Sequence, residues 1–368
     1  MTAGTCAGPA TRFELADDFV AVNEYFHDQG WSDGLPVMPP TEDAVAAMVA
    51  AGPLAASDVL GIMSPVEGTV TVEKVAANAV MAGCKPAYFP VVIAGVKALL
   101  QPKYNIGSVS TTTGGAAPCF MVSGSIADTL EINSGTACMG SGFRANATIG
   151  RALRLVIRNI AGAIPGEMDK GTLAFPGRYS LLFAENEARN PWEPLRVNRG
   201  YAVEESTISV IGIRGIHYIN EGAQETGLGN LETIAGSMRR MGLVNYLHQS
   251  HRTAIGLVLG PEHAHEIAKD GFSRQDVQQH LFDHARMPVR DLDSRSYWNF
   301  RQWPEEYEAD NPDFMVPIVY APEDFVIIVA GGDGRHSAWL SSWYMTQCAT
   351  QKIEIQEPTR PIEKRRDL

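Results

Sequence analysis

Apolar residues in the first hundred positions recur at three- and four-residue intervals, and the later part of the chain adds short apolar runs too brief to be helices. Leu15, Phe19, Val22 and Phe26 stand on one helical face of the stretch from Phe13 to Gln29, so an amphipathic helix ending at Gly30 is expected. The next ten residues, Trp31 to Pro40, carry three prolines and an Asp-Gly turn signal and cannot continue it. That segment reads either as a piece of fixed shape or as an ordinary loop. Thr41 then reads as an N-cap, with Glu42 and Asp43 placed to favour the first turn of the next helix. Further helices are expected over about Thr71 to Ala82 and Ala87 to Leu100, parted by Gly83-Cys84-Lys85-Pro86. Cys84 at that junction reads as a packing residue.

Strand-like runs follow at Cys119 to Val122, Tyr179 to Phe183, Thr207 to Ile213, Ala254 to Leu259 and Phe325 to Ala330. Between them, Ile149, Leu153, Val156, Ile157 and Ile160 mark a helix buried along one face, while Arg151, Arg154 and Arg158 fall elsewhere on it and read as a solvated charged face. Ser273, with Asp276 three residues on, opens a helix reaching about Arg286. Helices interleaved with short strands predict a mixed, layered α/β architecture with Gly-rich loops at strand ends. The expected division is an N-terminal α/β unit over 1–200, a C-terminal α/β unit over 201–357 and a charged tail over 358–368.

Composition narrows the function classes. Hydrophobic residues make up 45% and charged residues 20% of the 368, a globular rather than a disordered profile. The net charge of −12 argues against nucleic acid and anionic membrane surfaces as partners, so any anionic ligand must be held by local positive features. The five cysteines (Cys6, Cys84, Cys119, Cys138 and Cys348) form no CxxC pair and no zinc-like spacing, which points to a reducing cytoplasm. Neither an export signal nor a membrane span is read from the chain.

The chemistry concentrates at Ser134 to Asn146, where Cys138 sits in a glycine-rich turn that feeds a helix. The first turn of a helix offers unpaired N–H groups and a partial positive charge, which hold an anion or lower a thiol pKa. Three readings stay open there: a nucleophilic thiol, an anion-binding loop with Ser141, Arg144 and Asn146 as contacts, or a structural turn. A dinucleotide fingerprint is absent because the third glycine is missing. Thr111 to Gly115, with Thr112 and Thr113, is a second loop rich in hydroxyls and open to close ligand approach.

Other candidates lie at strand ends. Glu185 and Glu187 follow one strand and suit acid/base work or a metal. The strand Phe325 to Ala330 runs into Gly331 to Ser337, which reads as strand, glycine turn and helix, with Gly332 and Arg335 as substrate contacts and His336 as an acid/base group. Glu262, His263 and His265, and the pair His280 and His284, are compatible with metal ligation, although no HExxH pattern supports them.

Three segments, Trp31 to Val37 with Pro39-Pro40-Thr41, Ala79 to Pro86, and Arg144 to Ala152, resemble a group of bacterial proteins associated, sometimes by fusion, with the UGSC family of thiol-redox (seleno)proteins. The resemblance spans most of the first 200 residues and weakly the Gly331 loop. It implies thiol or sulfur chemistry nearby and a thiol-redox partner protein. The Cys/Sec-Gly-Ser-Cys motif is itself absent, so no redox role passes to a particular cysteine. The expectation is therefore a cytoplasmic, homo-oligomeric enzyme acting on a small anionic substrate, with no cofactor specified. The site is expected where three loops converge, the Cys138 loop, the loop from Thr111 to Gly115 and the loop from Gly331 to His336, with Cys138 as nucleophile or thiol donor, His336 or Glu185 moving protons, and Arg144 and local N–H groups holding the anion. A metal-dependent lyase or hydrolase and a noncatalytic binding or scaffold subunit are the alternatives.

Overall fold

Side chains alternate across a strand, so a strand apolar at every position must be buried on both faces. That is the state of most strands in this protein, whose computed structural model describes residues 10–15, 17–241, 252–292, 303–308, 310–343 and 345–355. Helices α1 (Phe19–Asp28) and α2 (Glu42–Ala50) precede a hairpin, β1 (Val59–Met63) and β2 (Gly68–Thr71). Then come α3 (Val72–Met81), α4 (Phe89–Leu99), α5 (Ile106–Thr111), β3 (Ala117–Ser123), α6 (Ile126–Thr129) and α7 (Arg144–Asn159). The next elements are β4 (Leu182–Ala184), α8 (Leu195–Asn198), β5 (Thr207–Asn220), α9 (Gly227–Met241), β6 (Ile255–Leu259), α10 (Pro261–Lys269) and α11 (Arg274–His284). A short pair, β7 (Arg286–Pro288) and β8 (Met315–Pro317), leads to β9 (Phe325–Val329), β10 (His336–Ser342) and β11 (Ala349–Lys352).

Seven strands form one mixed sheet in the order β4-β3-β5-β10-β6-β9, with β11 beside the first half of β5. The residue-200 boundary falls ahead of β5, whose partners β3, β10 and β11 come from both sides of it. The sheet curls until its edges meet: Asn186, just past β4, donates its N–H to Val329 at the end of β9 at 2.8 Å. Alternation then sorts the side chains into three cores. Cys119, Met121, Phe183, Ile211, Val258, Ile328 and Leu340 fill the inside of the curl. Phe120, Val122, Ile208 and Val210 face α3, α4 and α7, and Leu257, Ile327, Val329 and Trp339 face α9, α10 and α11.

Helix ends follow local chemistry. Thr41 and Thr71 cap α2 and α3, and Ser273 with Asp276 closes a reciprocal capping box at α11, as their spacing predicts. The first helix begins later than its periodicity predicts, because the Asp18 carboxylate accepts from Val20 N and Ala21 N and sets the start at Phe19. Phe13 and Leu15 precede it and stay exposed. The expected helix after the Gly331 turn is a strand instead: β10 is inserted between β5 and β6, where Ala338, Trp339 and Leu340 are buried on two faces.

The arginines of α7 are also not a solvated face. Arg151 forms a two-bonded pair with Asp33 (2.9 and 2.8 Å) and donates to the Leu35 and Pro36 carbonyls. Arg158 binds the Gly30 carbonyl, Asn159 the Trp31 carbonyl, and Arg154 the Arg178 carbonyl. The Pro-rich segment therefore has a fixed shape, stapled to α7 by side chains whose helical spacing resembles a surface pattern. Arg151→Ala leaves Asp33 and two carbonyls without their donor, and unfolding in urea is expected to show a loss of about 2 kcal/mol, against near zero for exposed Arg290→Ala.

Candidate functional site

The Cys138 turn is built by its neighbours. Ala137 takes a left-handed φ of 57°, the Asn133 side chain accepts from Gly135 N and donates to Thr136 O, and Gly140 N closes on Ala137 O. Asn146 reaches back from α7, accepting from Asn133 N (2.8 Å) and donating to Asn133 O and Cys138 O. Its amide is spent as a clasp on the loop. Arg144 is likewise engaged, with Nε and Nη2 both on Gly83 O, while Ser141 faces solvent.

The thiol points inward. Cys138 is 4% exposed and packs with Cys119 and Cys348 inside the curled sheet. Burial pushes its pKa up to about 11, opposed only by the N–H groups of Cys138 and Met139. The lowering expected from a helix N-terminus is overcome by desolvation, the usual outcome when a thiol loses water without gaining a cation.

Two of the three loops expected to converge do so. Gly331 N donates to Ser134 O at 2.8 Å, and a Cβ on Gly332 would stand 3.0 Å from Thr136 Cα, so this approach requires glycine. Asn186 Nδ2 donates to Gly331 O, which brings the segment after β4 to the same place. The loop from Thr111 to Gly115 lies at the opposite end of β3 from Ser123; its contacts run to Thr172, through Thr113 O, and to Ala174 and Trp343. Thr112 Oγ1 accepts from Gly114 N within that loop.

Glu185 sits behind the convergence. Its carboxylate accepts from Ser123 Oγ (2.6 Å), Asn190 Nδ2 (2.8 Å) and Leu195 N, with Arg274 4.0 Å away. Burial raises its pKa, against the pull of those donors. Glu187 accepts from Gly124 N and pairs with Arg196. These carboxylates join β3, β4 and α8, and neither lines the cleft described next. Arg335 is bound to both Glu266 oxygens and to the Glu221 and Gln224 carbonyls, so it is a strut and not a free anion clamp. His336 opens β10 with its ring exposed. His263 is a core histidine, between Ser337 Oγ (2.8 Å) and the Glu221 carbonyl (3.0 Å).

A cleft of about 570 Å³ opens where β4, β6 and β9 end. Arg189, Asn190, Pro261, Glu262, His265 and Glu266 line it. The 331–335 turn organises its walls: Asp333 pairs with Arg189 at 2.9 Å, Gly334 N donates to Glu262, and Arg335 holds Glu266. Asn190 connects the wall to Glu185. His265 takes no hydrogen bond from the described residues and its ring is exposed at the cleft. Reading the sequence singles out His265 and Glu262 only as metal candidates and passes over Arg189. The one local sign was an Asn-Pro turn signal directly after it, at the end of a strand.

Among the described residues no group of three His, Cys, Asp or Glu side chains is placed to hold a metal. His280 and His284 do share a face, with rings 4.2 Å apart. No helix of the described residues is long and apolar enough to cross a membrane. No protein-family model matches the chain, and no curated protein matches it.

A thiol with its pKa near 11 carries about a hundredfold less thiolate at neutral pH than an unperturbed one. Iodoacetamide labelling of native protein is therefore expected to be slow at Cys138 at pH 7.5 and to keep rising beyond pH 9.5. A plateau near pH 8.5 at this position would show that the thiol is not buried as described.

Proposed function

We propose that the protein is an enzyme of small-molecule metabolism that takes an anionic substrate in the cleft at the ends of β4, β6 and β9. The observation that carries this reading is the gathering of one cation, one imidazole and one oriented carboxylate, Arg189, His265 and Glu262, in a single concave site. Clefts at the carboxyl ends of strands are the usual ligand sites of α/β sheets. Among the described residues Arg189 is paired only with Asp333, and both side chains are largely exposed (50% and 76%), so water screens the pair and a substrate carboxylate or phosphate can displace Asp333. His265, whose imidazole stands at the cleft, moves the proton. Glu262, fixed by Gly334 N, orients the imidazole or balances its charge. Glu266 is consumed by Arg335 and Asn230 and takes no part.

Cysteine-dependent chemistry at Cys138 is the second reading. It is favoured by the bond from Gly331 to Ser134, which ties the cysteine loop to the turn bordering the cleft. A thiol step there requires the 134–142 loop to open and release the side chain from the interior. The cytoplasm is the proposed setting, supported by four free thiols among the described residues, Cys84, Cys119, Cys138 and Cys348. Exposed Phe13, Phe19, Val20 and Met38 support a homo-oligomer.

Thermal melting of the wild type with acetate, lactate, succinate and citrate is expected to reveal a saturable rise with at least one of them, weakened in Arg189→Met. His265→Gln is expected to keep the rise, while consumption of the bound compound, followed by NMR, disappears. Equal responses from the wild type and Arg189→Met would remove Arg189 from substrate binding and sink the cleft reading.

A further inference from the structure

We infer that the inner side of Arg154, beneath the loop from Thr111 to Gly115, is a second oxyanion-binding site, for a carboxylate or phosphate group. Arg154 projects from α7, partly buried, and spends Nε on the Arg178 carbonyl at 2.9 Å. Neither of its Nη groups has an acceptor, and no carboxylate stands within ion-pair distance of it, among the described residues. The nearest counter-charge is already committed: Asp169 pairs with Arg178 and accepts from Gly171 N (2.9 Å). Arg178 in turn gives Nε to Ala116 O at the root of β3. Two guanidinium groups thus share one carboxylate, which leaves the part-buried Arg154 guanidinium with donors available to an anion.

A second observation points to a ligand at the same place. Tyr104 is fully buried, its hydroxyl has no hydrogen-bond partner among the described residues, and it lies within electrostatic reach of Arg154. Burial, and then Arg178, lower the Arg154 pKa to about 10, the direction expected of a cation missing its counter-ion. The hydroxyl-rich loop is fastened to this cluster, because Thr172 N donates to Thr113 O and Gly171 packs against Gly115. A Cβ on Gly115 would come 2.6 Å from Ala174 Cα, so the approach depends on glycine. An oxyanion accepting from both Arg154 Nη groups and from Tyr104 Oη satisfies every one of these open donors in the forked geometry that suits carboxylate and phosphate. This site does not rest on the cleft reading: it lies at the start of β3, and the Glu185–Asn190 wall of the cleft follows β4, which runs parallel to β3.

The test is thermal melting and calorimetric titration of the full chain with sodium phosphate and with sodium malonate, each against sodium chloride at matched ionic strength. The wild type is expected to bind at least one of them saturably, and the responding anion identifies the group as phosphate or carboxylate. Because Arg189 of the cleft is itself proposed to bind anions, the decisive comparison is made in the Arg189→Met background: Arg189→Met is expected to retain a saturable response, and Arg154→Gln added to it to abolish that response. Tyr104→Phe removes an unpaired buried hydroxyl, so its ligand-free Tm is expected to rise while its affinity for the anion falls about fivefold. That variant keeps the test decisive if Arg154→Gln does not fold. No saturable response to either anion overturns the inference, as does unchanged affinity in Tyr104→Phe, or a response lost in Arg189→Met and kept in Arg154→Gln.

Discussion

The edge-to-edge closure of the curled sheet is the constraint on which the rest of the structure depends. One backbone hydrogen bond, Asn186 to Val329, is flanked by Gly331 to Ser134 and by the Asn186 side chain on Gly331. Together they hold the β4 end against the β9 end. Without these bonds the ends of β4 and β9 would part, and the interior lined by Cys119, Met121, Phe183, Ile328 and Leu340 would open toward water. Closed, the same seam sets three strand ends side by side and leaves the cleft between the turn after β4, the start of α10 and the Gly331 loop.

Buried charge reinforces that arrangement. Glu185, Glu187, Arg196 and Arg274 bind one another or the backbone around β3, β4 and α8, and Arg274 reaches the Ile327 carbonyl of β9 from α11. Each partner is kept in place because removing one leaves a charge stranded in an apolar setting. On the opposite face, Arg151, Arg158 and Asn159 do the same between α7 and the Pro-rich segment. Fixed scaffolding of this kind is what a binding cleft built from loops needs, since loop side chains are positioned only as well as the elements beneath them.

Much of the fold was legible because it is written in local chemistry. Thr41, Thr71 and the Ser273–Asp276 box start their helices where predicted, and the apolar runs at 119–122, 207–213 and 325–330 are strands. What local pattern cannot show is which residues are joined by tertiary bonds. Arg151, Arg154 and Arg158 have the spacing of a solvated face, yet all three are tied to distant carbonyls. The Cys138 turn has the sequence of an activated thiol loop, but its direction is set by the hollow of the sheet, which draws the side chain inward. The meeting of the Cys138 and Gly331 loops was anticipated from their glycines. Arg189 was passed over because a lone arginine after a strand carries no signal until the cleft exists around it.

The closure itself is open to direct measurement by amide hydrogen exchange at Asn186 and Gly331, read by NMR beside the central amides of β5. The account predicts that both exchange as slowly as β5, opening only with global unfolding. Exchange at the rate of exposed turns such as Gly140 would mean that the edges do not meet, and that the cleft is not a fixed site.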